Sequence, residues 1–206
     1  MKTKRLQFTI SLILSVIASQ STAAPQNGQV QAGKANISTL KQQTIIQQLS
    51  DRAIVNWQSF SVGSDEQVSF RQPSTTSAIL NRVTGDQTSA ILGRMDANGH
   101  VYLVNPNGIV FGKNAQVNVG SLIASTTNIS NQNFMQNRLV FDQPSALKAT
   151  IINQGSITAA QGGLVALVAP SVSNSGIITA RLGKVVLAAG EKFTVDLYGD
   201  DLISFV

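Results

Sequence analysis

The side chains that most often carry catalysis are scarce and scattered in this chain. Asp196, Asp200 and Asp201 form a close acidic group. Clustered carboxylates can hold calcium or divide general acid and base work between them. Here Asp200-Asp201 follows Gly199, and a solvated Gly-Asp turn is the plainer reading. His100 is the one histidine, and cysteine is absent. A Ser-His-Asp set cannot be assembled around a histidine that follows Asn98-Gly99 in a turn, and no thiolate zinc site can be built. Gly183-Lys184 lacks both the preceding glycine pattern and the following Ser or Thr of a phosphate-binding loop. The residues therefore point away from an enzyme, and no cofactor or metal is expected.

Two other groupings carry a more specific chemistry. Asn105-Pro106-Asn107-Gly108 is a turn by composition. Pro106 presets φ, Asn107 tolerates left-handed geometry, Gly108 adopts it freely, and Asn105 can bond its own backbone two residues on. Asn81-Arg82 places an amide beside a guanidinium. Arg82 could meet a carboxylate bidentately or pair within the fold. Both groups sit in a chain with only 12% charged residues, about half the usual share of roughly 25%. At 43% hydrophobic it is too apolar to be disordered. Asn, Gln, Ser and Thr supply the missing polarity, bonding backbone and neighbours without the desolvation cost of a full charge.

The formal net charge of +5 owes much to Lys2, Lys4 and Arg5. Without them 12 basic residues face 10 acidic ones. The remainder are spread singly, so no basic stripe exists to bind nucleic acid. Those three residues open a segment with a basic start, an apolar run from Leu6 to Ile17 and small residues at Ser21 to Ala24. Residues 1–23 read as a secretory signal peptide cut after Ala23. The apolar run of about 12 residues is short of the roughly 20 that span a bilayer, and no later stretch is long enough. The mature chain, residues 24–206, is expected outside the cytoplasm, where the lack of cysteine also excludes a disulfide framework.

Downstream, alternation with period two dominates. Ile54, Asn56, Gln58, Phe60 and Val62 fall on one side of a strand, with Val55, Trp57, Ser59 and Ser61 on the other. Val101, Leu103 and Asn105 alternate with Tyr102 and Val104. Leu40 to Leu49 could make one or two helical turns but lacks a sustained helical stripe. Asn153, Gly155, Ile157, Thr158 and Ala159 recur 21 residues later as Asn174, Gly176, Ile178, Thr179 and Ala180. Gly162, Leu164 and Val165 recur at the same offset as Gly183, Val185 and Val186. A fixed period near 20 in Asn- and Gly-rich, β-branched sequence indicates a solenoid. The expected fold is all-β: a right-handed parallel β-helix of roughly eight or nine coils of about 21 residues, about 40 Å long. Asn should stack in a corner ladder, Gly should occupy positive-φ corners, and residues 24–50 should cap the first coil.

Residues 53–83, AIVNWQSFSVGSDEQVSFRQPSTTSAILNRV, then 90–128, AILGRMDANGHVYLVNPNGIVFGKNAQVNVGSLIASTTN, and 183–199, GKVVLAAGEKFTVDLYG, carry a family resemblance. In that order they resemble the two-partner-secretion domain of filamentous-haemagglutinin-like exoproteins. The resemblance implies a secretion-targeting domain of an exported adhesin of a Gram-negative bacterium, at the cell surface or secreted by way of the periplasm. It also implies a partner, an outer-membrane β-barrel transporter that recognises the domain through periplasmic modules. Asn105, Pro106, Asn107, Gly108, Asn81 and Arg82 are the candidate recognition residues. The turn either helps present the export signal or only fixes a solenoid corner. Gln143-Pro144-Ser145 does not match the second Asn-Pro motif that the family often carries. No passenger shaft lies within these 206 residues. The alternative is a stand-alone secreted β-helix that binds a host surface glycan or protein, which an exposed row of aromatics would favour.

Overall fold

The computed structural model describes residues 23–144, 148–196 and 203–205. The signal-peptide reading, Ser145 and the Asp200-Asp201 turn fall outside them, apart from Ala23 at the proposed cleavage site. The chain starts with β1 (Gln29–Ala32) and β2 (Ala35–Leu40). It then winds through β3 (Gln43–Gln48), β4 (Arg52–Trp57), β5 (Gln67–Arg71), β6 (Ala78–Val83) and β7 (Ser89–Ile91). Next come β8 (Arg94–Ala97), β9 (His100–Val104), β10 (Ile109–Phe111), β11 (Gln116–Val119) and β12 (Ser121–Ser125). An excursion follows, made of β13 (Asn128–Ile129), α1 (Asn131–Met135) and β14 (Val140–Gln143). Winding resumes with β15 (Thr150–Asn153), β16 (Ser156–Ala159), β17 (Leu164–Ala169), β18 (Ser171–Asn174), β19 (Ile177–Ala180) and β20 (Lys184–Ala189). The described chain ends with β21 (Phe193–Val195) and β22 (Ile203–Phe205).

These strands stack into a parallel β-helix. Its front face runs β1-β4-β6-β9-β12-β17-β20 and its back face β2-β3-β5-β8-β11-β16-β19. A short face, β7-β10-β15-β18, closes the cross-section. Pairing is parallel except in the first layer, where β1 and β2 run antiparallel to β4 and β3. Those two strands are the N-terminal cap: they cover the backbone edge that the first coil would otherwise expose. Leu40–Leu49 accordingly forms the turn and second strand of the β2–β3 hairpin, not helical turns.

The solenoid has about 7 turns of about 22 residues, fewer than the eight or nine expected. Two features take up the difference. The early coils are long: Arg52 pairs with Ala78, a step of 26 residues, before Ala78 meets His100 and His100 meets Ser121. The excursion then leaves the stack altogether, so that Leu122 next pairs with Val165. At about 4.8 Å per layer the rod is about 30 Å long.

The 21-residue repeat is real on two faces. Asn153 pairs with Asn174 and Ile157 with Ile178, and the Asn153 amide donates to Asn174 Oδ1 at 2.7 Å, one rung of the expected ladder. On the front face the step is 20. Val165 pairs with Val185, and Leu164 with Lys184. The corner from Ala160 to Gly163 has one residue more than its successor, so pairing Leu164 with Val185 would put inward side chains against outward ones. Most glycines stacked at this corner are needed for space, while Gly162 supplies a positive φ of 76° with open room around it. A Cβ on Gly120, Gly163 or Gly183 would collide with the carbonyl oxygen of the glycine one layer back. Positive φ among glycines belongs to Gly33, Gly108 and Gly162.

Two apolar cores result. The inner core lies within the coils and includes Val55, Trp57, Phe60, Ile79, Leu103, Phe111, Val117, Ile157 and Leu167. The alternation through 54–62 breaks because β4 stops at Trp57 and the chain bends at Gln58. Phe60 and Val62 therefore join Val55 and Trp57 inside, while Ile54 faces out. The outer core lies on the opposite side of the front face. There Ile54, Leu80, Tyr102, Val104, Ile123 and Val168 are covered by Ile129, Phe134, Leu139, Phe141, Phe193 and Val195. The cover is an antiparallel outer sheet, β13-β14-β21-β22, with α1 at its side.

Candidate functional site

The candidate recognition residues come together at one edge of the front face. In the β6–β9 pairing Asn81 lies opposite Leu103 and Arg82 opposite Val104, so Asn105 follows directly beside them. Strand alternation then sends their side chains different ways.

Asn105 is fully buried. Its amide nitrogen donates to the Gln87 carbonyl and to Ser89 Oγ, both at 2.9 Å. Its Oδ1 accepts the Asn107 backbone N–H at 2.9 Å, the expected Asx-turn, and also the Asn107 amide at 3.2 Å. The Gly108 N–H donates to the Asn105 carbonyl at 3.1 Å and closes a β-turn. Gly108 carries the left-handed conformation, at φ 105°, and Asn107 does not. A side chain at Gly108 would also meet the Thr150 carbonyl at 2.9 Å. Asn107 spends its amide on the Gly85 carbonyl at 2.8 Å, and its own carbonyl accepts from Thr88 Oγ1 at 2.9 Å. The turn is thus pinned on three sides, and Pro106 and Asn107 are its half-exposed members.

Asn81 points inward and is fully buried. It accepts from the Trp57 indole N–H at 3.0 Å and lies 3.4 Å from the Tyr102 carbonyl. It satisfies a buried polar handle that an apolar residue would leave orphaned. Arg82 points outward and is half-buried. Its Nε donates to Asn128 Oδ1 at 2.7 Å. Its two terminal nitrogens donate to Asn131 Oδ1 at 2.8 Å, Asn56 Oδ1 at 3.2 Å and the Ile129 carbonyl at 2.7 Å. Arg82 therefore pairs within the fold, with amide and carbonyl oxygens in place of a carboxylate. Burial lowers its pKa from the usual guanidinium value.

Sequence reasoning missed a second clamp. Arg52 Nε donates to the Phe134 carbonyl at 2.7 Å, its Nη1 donates to Asn137 Oδ1 at 3.0 Å, and its guanidinium lies 4.2 Å from the Phe134 ring centre. The Phe134 carbonyl also accepts the Asn137 N–H at 3.0 Å, so Arg52 adds a charged donor to a carbonyl at the C-terminal end of α1, where a cation is favoured. The Asn-rich stretch Asn128, Asn131, Asn133, Asn137 was the available signal, since it supplies three of the amide oxygens the two arginines use. Two rows along the front face, His100 is held below its ordinary pKa by burial, with the Arg52 charge adding to the effect. Among the described residues no group of three or more His, Cys, Asp or Glu could hold a metal ion. No described helix is long and apolar enough to cross a membrane.

The comparisons with known proteins fall on the whole of this architecture. Residues 19–202 match the family described as the TPS secretion domain. A heme/hemopexin-binding protein of Haemophilus influenzae strain Rd is 37% identical over 201 residues, which cover 91% of this chain and 22% of that protein. A second heme/hemopexin-binding protein of Haemophilus influenzae is 37% identical over 126 residues, 58% of this chain and 14% of that protein. The crystal structure of the HMW1 secretion domain from Haemophilus influenzae superimposes with a TM-score of 0.81 at 38% identity, over 89% of this chain and 48% of that one. The chain thus spans about a fifth of its full-length relative.

Proposed function

We propose, from the fact that the chain belongs to the TPS secretion-domain family, that it directs a longer protein out through a dedicated outer-membrane transporter. The observation that supports this most is the match over residues 19–202, which takes in the cap, every coil and the outer sheet's β21. On this reading residues 1–23 carry the chain into the periplasm and are removed. Periplasmic modules of a TpsB-type β-barrel then recognise residues 24–206, and the protein reaches the cell surface or the medium. The domain itself is not catalytic.

The candidate residues divide by exposure in this reading. Pro106 and Asn107 are the half-exposed members that a partner can reach, with the Asn107 amide already held by the Gly85 carbonyl. Asn105, Gly108 and Asn81 act from within, by fixing the turn and the Trp57 ring, and Arg82 acts by holding the excursion. The relatives named for heme/hemopexin binding suggest that activity for a region beyond the secretion domain. The stand-alone adhesin reading gains nothing from the surface. Trp57, Tyr102, Phe60, Phe70, Phe111, Phe134, Phe141 and Phe193 are all buried, leaving no exposed aromatic platform among the described side chains.

Binding of the purified chain to the isolated periplasmic region of the cognate transporter tests the proposal. Saturable binding is expected, weakened by Asn107→Ala with the fold intact. No binding by either the folded or the urea-unfolded chain would refute it.

A further inference from the structure

The outer sheet contains a strand that the chain supplies late. β14 is its central strand in the excursion. On one side β13 offers two residues in irregular register. On the other, β21 pairs Val140 with Thr194 and Phe141 with Phe193. The Phe141 and Phe193 rings stack, with centroids 4.4 Å apart and planes at 6°. The Val195 N–H donates to the Leu139 carbonyl at 2.9 Å, and Thr127 Oγ1 donates to the Glu191 carbonyl at 2.6 Å. Between Phe141 and Phe193 the chain lays down β15 to β20, two further passes across the front face. The inner core needs nothing from residues 191–195: its buried members end at Ala169.

We infer that residues 191–195 are a closing strap. The outer layer over the front face stays open until the chain past β20 is in place, and closure then joins the coil of β12 to the coil of β20 in one step. The parallel coils can stack layer by layer, whereas β14 has no regular partner until β21 arrives. Pairing across an intervening loop of this size carries a closure entropy that local contacts avoid. This goes beyond the export reading, because it concerns the order of assembly whatever carries the chain.

Refolding of the purified chain from urea, with pulsed hydrogen exchange read by mass spectrometry, tests it. Amides of β9, β10 and β12 should gain protection first. Residues 139–143 should gain it later, in the same phase as 193–195. Protection of 139–143 in the earliest phase, or ahead of 193–195, would overturn the inference. At equilibrium, Phe193→Ala should speed exchange at 139–143 by at least about tenfold while β9 and β10 keep their protection. A uniform increase across the chain, or none at 139–143, would count against the strap. Phe193→Leu, which keeps an apolar side chain but loses the ring stack, should give the same pattern to a smaller extent if the alanine variant does not fold.

Discussion

The inner and outer cores share one sheet and are assembled by different rules. Inside, each side chain meets its counterpart one coil away: Val101 beneath Leu122, Ile157 beneath Ile178. Outside, contact is made across long stretches of chain: Arg52 reaches a carbonyl 82 residues on, and Phe141 waits for Phe193. The inner core is a column that any matching coil extends. The outer core is a single construction, covered once by the excursion and the segment of β21 and clamped by two arginines. A lesion inside should therefore cost the whole stack, and a lesion outside should first release the cover.

The largest effect is expected at the centre of the inner column. Phe111→Ala should cost about 3–5 kcal/mol, by lost burial and a cavity, and should lower the urea midpoint of the whole domain in one transition. A separate early transition would break the distinction between the cores. Arg82→Ala should cost about 2 kcal/mol, since the donors lost are charge-assisted and the acceptors at Asn56, Asn128 and Ile129 are left part-buried. Its signature is local, with faster exchange at 128–135 before the coils open. Arg82→Lys should rescue only part of the loss, because an ammonium cannot span acceptors on Asn56, Asn128 and Asn131.

Asn81→Ala sharpens the contrast from the neighbouring position on the same strand. It should cost about 1–3 kcal/mol through the orphaned indole N–H, and should alter Trp57 fluorescence while leaving exchange in the excursion unchanged. The smallest effect concerns pH. The folded pKa of His100 lies below its ordinary 6.5, so the unfolded chain binds this proton more readily. Stability is then complete above about pH 6.5 and falls as the pH drops through the folded value. His100→Gln should flatten that part of a stability–pH profile measured by urea titration. An unchanged slope would place the acid sensitivity elsewhere.

This division also marks what the sequence could disclose. The solenoid was legible because its contacts recur: the Asn153 and Asn174 rung and the Ile157 and Ile178 pair are a fixed distance apart in the chain. The Asx-turn at Asn105 was legible because it is made within four residues. The one-residue difference at the corner after Ala160 was not, since glycines at Gly162, Gly163 and Gly183 allow two alignments and only the pairing of Val165 with Val185 decides. The outer core was hardest to read. Its strand partners lie far apart, and α1 is a single short turn with no amphipathic stripe. One clue was present: β17, LVALVA, is apolar on both faces, as a strand covered on both sides must be. The inward course of Asn81 and the outward course of Arg82 follow from the parity of β6, once Ile79 is known to face the inner core.

On the proposed reading, this domain addresses its protein to a partner in the outer membrane. Expressing the chain with and without its cognate transporter, and measuring the chain in the culture medium, tests it most directly. Release that depends on the transporter, and falls in Asn107→Ala with the fold preserved, is the predicted result. Equal release without the transporter, or retention in the periplasm despite it, would contradict the account.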